Sequence, residues 1–146
     1  CPGHNKLSRL ISHRDNNLSR KYSIFVGNGG LYVPQELERG ADGIMTGFAF
    51  TEMLVDLYNL FFNNDKQEAE DLFDIYLPLI RHEQQFGIGL VLRKFVLQHR
   101  DIIKSSNVRS PGPVLTGDDI REMEHLLKRL NSKLIEKGLP IPKGIK

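Results

Sequence analysis

The sequence predicts an α/β fold in which one βαβ unit is followed by four amphipathic helices. Three observations carry that reading. Ile24, Phe25 and Val26 form a short apolar run that ends in Gly27-Asn28-Gly29-Gly30. A second run, Gly43-Ile44-Met45-Thr46, closes on Gly47. From Phe50 onward, apolar residues recur at spacings of three and four. A short apolar run bounded by turn residues suits a strand buried on both faces. The three-and-four spacing is that of a helix with one apolar stripe.

Between the two runs lies room for one short helix. Pro34 fits its first turn, where no backbone N–H is needed. Gly40 fits the residue just past its end, where a left-handed conformation is required. Two strands joined in this way should be parallel, with a right-handed crossover. In such folds ligands bind beyond the carboxyl ends of the strands. Both ends are glycine-rich here, and glycine lets backbone approach a ligand closely. Glycine-rich loops also serve as plain turns, so spacing alone leaves binding and turn-making both open.

The remaining elements follow in order. Asn5 is expected to cap a short first helix with Leu7, Leu10 and Ile11 on its apolar side. A polar connection is expected over residues 14–21. The helix over residues 50–62 carries Met53, Leu54, Leu57, Tyr58, Phe61 and Phe62, and Asn63-Asn64 ends it. Asp65 with Glu68 reads as a capping box for the next helix. That helix bears Leu72, Phe73, Tyr76, Leu77, Leu79 and Ile80, with a kink expected at Pro78. A further helix is expected over residues 88–103, with Leu92, Phe95, Val96 and His99 as core positions. After a Ser/Pro/Gly loop, Thr116 with Asp119 signals the last helix, which carries Ile120, Met123, Leu127, Leu130 and Leu134 and ends at Gly138. Residues 139–146 read as a disordered tail.

Composition bounds the function classes. The 146 residues fit one domain. With 40% hydrophobic and 26% charged residues and a net charge of +2, nothing argues for a nucleic-acid or membrane partner. No apolar run is long enough to span a bilayer. The single cysteine, Cys1, rules out an internal disulfide framework and a cysteine metal cluster. A reducing, cytoplasmic compartment is the expectation. The chain begins Cys1-Pro2-Gly3, which reads as a start within a longer polypeptide.

Several motifs fail on inspection. His82-Glu83-Gln84-Gln85-Phe86 begins like a metalloprotease helix but lacks the second histidine, so His82 and Glu83 are expected at the surface or between helices. His4, His13, His99 and His125 show no ligand spacing. No glycine is followed by Lys and then Ser or Thr, which excludes a P-loop. Asp118 and Asp119 suit a first helical turn rather than catalysis. Arg100, Lys104 and Arg109 read as a solvated basic face.

Two parallel strands cannot cover their own faces and edges, so part of the sheet is expected elsewhere. The run VGNGG…ERGADGIMTGFAF, with Asn107-Val108-Arg109-Ser110-Pro111 downstream, resembles the C-terminal half of the dihydrodipicolinate synthase / N-acetylneuraminate lyase family. The likeness covers roughly residues 23–134. It implies the C-terminal part of a TIM (β/α)8 barrel, strands seven and eight, followed by a helical extension. Residues 1–63 would be partial barrel, 64–138 the helical domain and 139–146 a flexible tail. It also implies class I aldolase or lyase chemistry, in which a strand-six lysine forms a Schiff base with a pyruvate-type 2-oxo acid. Such a lysine must be neutral to attack. It would lie upstream of Cys1; Lys6 and Lys21 follow no strand.

The resemblance places Gly27, Asn28 and Gly29 on the strand-seven loop that lines the substrate pocket. Many members carry an acid where Asn28 or Gly29 stands. Ile44, Met45 and Thr46 fall on the strand-eight segment facing the Schiff-base lysine, the main-chain carbonyl near Met45 approaching the reacting centre. The Met45 side chain would also fill barrel space. The implied parent is a homo-oligomer acting on a small molecule without cofactor or metal, and this chain alone would be inactive. Two other readings stay open. GADGIMTG is similar to the strand-eight segment of FMN-binding TIM-barrel oxidoreductases, although those usually have a basic residue where Phe48 stands. Residues 50–135 could also form an independent helical interaction module.

Overall fold

The structure is a computed structural model that describes residues 4–17 and 22–145. Its order is α1 (His4–Asn17), β1 (Phe25–Val26), a 3-10 turn (Asn28–Gly30), α2 (Val33–Glu38), β2 (Gly43–Ile44), α3 (Thr51–Phe62), α4 (Lys66–Glu83), α5 (Gly89–His99) and α6 (Gly117–Lys137). The expected βαβ unit is present. The strands run parallel, with Phe25 opposite Gly43 and Val26 opposite Ile44. Ladder bonds continue from Asp42 N–H to Ile24 O and from Met45 N–H to Val26 O. Pro34 sits in the first turn of α2, and Gly40 past its end takes φ +99°, as the sequence requires.

The strands depart from the reading in one respect. They were expected to be buried on both faces, but only one face is covered. Val26 is 2% exposed, whereas its neighbour Phe25 is 51% exposed and Met45 is 70% exposed. Successive strand residues point to opposite faces, and among the described residues no layer lies on the second one. A groove of about 540 Å³ runs there between β2 and α3, lined by Phe25, Ile44, Met45, Leu54, Val55 and Tyr58.

Helices α3 to α6 share one core. Leu57 of α3, Ile80 of α4, Leu92 and Val96 of α5 and Met123 of α6 are all inaccessible, and Val26, Val33 and Leu37 of the βαβ unit join the same cluster. Phe48, Phe50 and Tyr76 meet at ring-centroid distances of 5.4 to 6.3 Å. This tilted and edge-on packing ties the segment after β2 to α4.

Other corrections are local. Asn5 lies inside α1, which already includes His4, and α1 continues to Asn17 where a polar connection was expected. Residues 18–21 and Cys1 lie outside the described residues. Leu7 and Ile11 are buried, but Leu10 is exposed. Asp65 stands at the N-cap of α4 without a side-chain cap bond, and Pro78 lies inside α4. By contrast, the Thr116–Asp119 capping box is complete, and Gly138 closes α6 in the left-handed conformation. The Thr116 hydroxyl holds the Asp119 carboxyl below its usual range.

Two further differences concern buried groups. The fifth helix ends at His99, which is exposed and stacks on Phe95, while Arg100 turns inward and is 2% exposed. Arg100 was read as part of a solvated face. It donates to Ala49 O and Lys143 O, pairs with Glu52 and lies 4.3 Å from the Phe50 ring centroid. A guanidinium can be buried when its fork of donors is met. The tail beyond α6 is docked rather than loose. Ile145 is buried, and Gly144 lies against the Arg100 backbone so closely that a Cβ would collide.

Candidate functional site

Parallel pairing puts the carboxyl ends of both strands side by side. Val26 opposite Ile44 brings Gly27, Asn28 and Gly29 to the same end as Met45 and Thr46. The first loop turns sharply: Gly30 N–H donates to Gly27 O at 3.0 Å, and Leu31 N–H to Asn28 O at 3.3 Å. Asn28 (φ +51°) and Gly29 (φ +64°) both adopt left-handed backbone. Asparagine and glycine are the residues that tolerate this.

The six candidate residues differ in what they present. Gly27 and Gly29 offer backbone, and Asn28 an exposed amide. Ile44 is half-buried and packs on the core. The Met45 side chain is exposed, so the expected barrel-filling role is not played by any contact among the described residues. Its N–H is engaged with Val26 O. Thr46 is half-buried, its Oγ1 has no hydrogen-bond partner, and its methyl lies 3.5 Å from where a Gly30 Cβ would be.

Sequence reasoning missed what covers these loops. The side-chain amide of Gln84, the residue that caps α4, lies where a side chain on Gly29 would begin. The Arg93 guanidinium of α5 lies 2.8 Å from where a Gly47 Cβ would be. Each glycine thus admits a polar group from the helical region onto the backbone at a strand exit. Arg93 Nε donates to Glu83 Oε2 at 3.1 Å. Glu83 is 1% exposed and its Oε1 is unpartnered. Burial pushes its carboxyl up to about 8, against the pull of Arg93, the Ala49 N–H and Arg100. Glu83 therefore makes the inter-helix contact expected of it, and it also anchors the segment after β2. The glycines were the available signal, since each marked a close approach without saying by what.

Among the described residues, no cluster of His, Cys, Asp or Glu could hold a metal ion. None of the described helices is long and apolar enough to cross a membrane. The candidate site is the exit of a parallel strand pair, walled by amides, a hydroxyl and a guanidinium hydrogen-bonded to Glu83. Such a wall can orient a polar small molecule.

Comparison with known proteins agrees with this frame. The solved structure of dihydrodipicolinate synthase from Rhodopseudomonas palustris superposes with a TM-score of 0.83 at 45% identity, over 88% of this chain and 42% of that one. L-2-keto-3-deoxyarabonate dehydratase from Azospirillum brasilense is 26% identical over 127 residues, 87% of this chain and 40% of the relative. No protein-family profile matches. The chain belongs to the dihydrodipicolinate synthase / N-acetylneuraminate lyase family and corresponds to its C-terminal part. It spans about two fifths of the length of these relatives.

Proposed function

We propose that this chain is the C-terminal part of a Schiff-base lyase or synthase that acts on a pyruvate-type 2-oxo acid. In this reading β1 and β2 are strands seven and eight of a TIM barrel, and residues 64–138 form the helical extension. The observation that carries it is the strand pair itself. It has glycine-rich exits at one end and an uncovered apolar face, in a chain that superposes on a dihydrodipicolinate synthase. Such a face is what the earlier strands of a barrel would cover.

The chemistry assigns roles as follows. A neutral lysine amine upstream of Cys1 attacks the 2-oxo carbon, and water leaves as the imine forms. The protonated imine then accepts the electron pair released when a bond at the neighbouring carbon breaks. Gly27, Asn28 and Gly29 border the substrate, and the backbone of Ile44, Met45 and Thr46 faces the reacting centre. The name of the Azospirillum relative, a dehydratase, supports carbon–oxygen cleavage within this chemistry. The parent protein would self-associate.

The test is borohydride reduction of the full-length protein in the presence of pyruvate, followed by peptide mass mapping. The expected result is a reduced adduct on a lysine upstream of Cys1. The isolated chain should give no adduct. An adduct on a lysine of this chain, or none in the full-length protein, would overturn the reading.

A further inference from the structure

We infer that the groove between α3, α4, α6 and the C-terminal tail binds a linear aliphatic diamine, with one ammonium group at each end and the methylene chain between. The site is separate from the strand exits and does not depend on the reading given to them.

The groove holds about 550 Å³. Glu52, Asp56, Asn59 and Asn63 line it from one face of α3, whereas Thr51, Val55 and Tyr58 line the groove beside β2 from another. The two grooves share no lining residue. Strands that covered Phe25 would therefore approach the other face of α3.

The charge of this groove is one-sided. Glu52, Asp56 and Glu68 line it, and among the described residues no Lys, Arg or His does, in a chain of net charge +2. Glu52 is paired with Arg100. Asp56 and Glu68 form no ion pair among the described residues.

A second, independent observation points to a ligand. Tyr76 is 3% exposed and its ring packs on Phe48 and Phe50, yet it lines this groove. Its hydroxyl makes no hydrogen bond among the described residues. Burial pushes that hydroxyl up, and the carboxylates of Glu52 and Asp56 push it further, against the pull of Arg100. This corner is rich in acceptors and short of a donor. An ammonium group brings three N–H donors and a countercharge.

Spacing selects the ligand. Glu68, Leu72 and Tyr76 stand four residues apart along α4, so they form one wall. At the rise of a helix, Glu68 and Tyr76 lie about 12 Å apart. Asp56 accompanies Tyr76 at one end, and Asn63, where α3 turns into α4, accompanies Glu68 at the other. Leu60 and Leu72 stand between these ends, and exposed Ile141 of the tail lines the same groove. An alkyl chain would cover these side chains, whereas a charge at its middle would lose water without a partner. A diamine long enough to reach both ends fits, and a short one reaches only one.

The test is calorimetric titration of the full-length protein with 1,8-diaminooctane, 1,4-diaminobutane and octylamine. The longer diamine should bind most tightly, about fivefold ahead of each of the others, the worth of one partly exposed ion pair. Asp56→Asn and Glu68→Gln each disable one end and should bring the longer diamine level with octylamine. Equal affinity for the three amines overturns the inference, as does an unchanged lead in both variants. So does the absence of saturable binding, or binding of a lysine-rich peptide in place of the diamine, which would make the groove a protein contact. The three amines are compared on the wild-type protein, so a variant that fails to fold does not alter the outcome.

Discussion

Phe25 and Phe50 are both large aromatic residues beside a strand, and they end in opposite environments. Phe50 is inaccessible, enclosed by Phe48, Tyr76 and Arg100. Phe25 is half open to water. The difference separates two regions. In the helical region the central apolar residues of α3 to α6 pack on one another within the chain. In the strand region one face is packed and the other is bare. The helices therefore supply most of the buried core, and the strands carry the candidate site.

Substitutions can sharpen or break this contrast. The largest effect is expected from Leu57→Ala, which opens a cavity in the shared core and should cost about 3 kcal/mol in chemical denaturation. A loss below about 1 kcal/mol would mean that the helical core is looser than its burial implies.

Glu83 comes next. Folded, it holds its proton until about pH 8, whereas the unfolded chain releases it near 4.5. Between these values the folded state binds more protons, so stability falls as pH rises. From pH 5 to pH 8 the decline from this group should be on the order of 2 kcal/mol, and Glu83→Gln should flatten it. An unchanged slope in that variant would remove Glu83 from the account.

Arg100→Ala strips donors from Ala49 O and Lys143 O and leaves a void under Phe50. The expected cost is about 2 kcal/mol, with faster amide exchange over residues 139–145. Exchange confined to the ends of α5 would contradict the anchoring role. Thr116→Ala should cost about 1 kcal/mol through loss of the capping box, read as a lower unfolding midpoint.

The smallest effect in the isolated chain is expected from Phe25→Ser, a change within about 0.5 kcal/mol accompanied by less self-association in sedimentation. In the full-length protein the same substitution should cost about 2 kcal/mol, because the ring would there be covered. Equal effects in both would argue that this face stays open. Deleting residues 1–48 gives a related test. It removes Val26, Val33, Leu37, Ala41 and Phe48 from the shared core. A remainder that unfolds cooperatively would favour an independent helical module.

Local chemistry was legible where one residue type has one use. Pro34, Gly40, the Thr116–Asp119 pair and Gly138 each fixed an element boundary. The glycines at 27–30 and 47 marked the candidate site. Asp65 with Glu68 carried the same capping pattern as Thr116 with Asp119 and formed no cap bond, so the pattern permits a bond without compelling it. Burial across elements was less legible. Arg100 reads as solvated because its partners are backbone carbonyls, which composition does not display. The tail reads as loose for the same reason. Gln84 sat inside a failed metal motif, and only the tertiary fold brings its amide onto Gly29.

The Arg100 junction also bears on the order in which the molecule is built. It joins Ala49 to Arg100 across 51 positions and Arg100 to Lys143 across another 43. Contacts so distant along the chain close late, because the intervening loops must be ordered first. A nascent chain can pair its strands and wind α3 to α5, yet the junction beside the strand exit stays open until residue 143 has been made. The junction around Arg100 is therefore among the last parts of this molecule to become rigid.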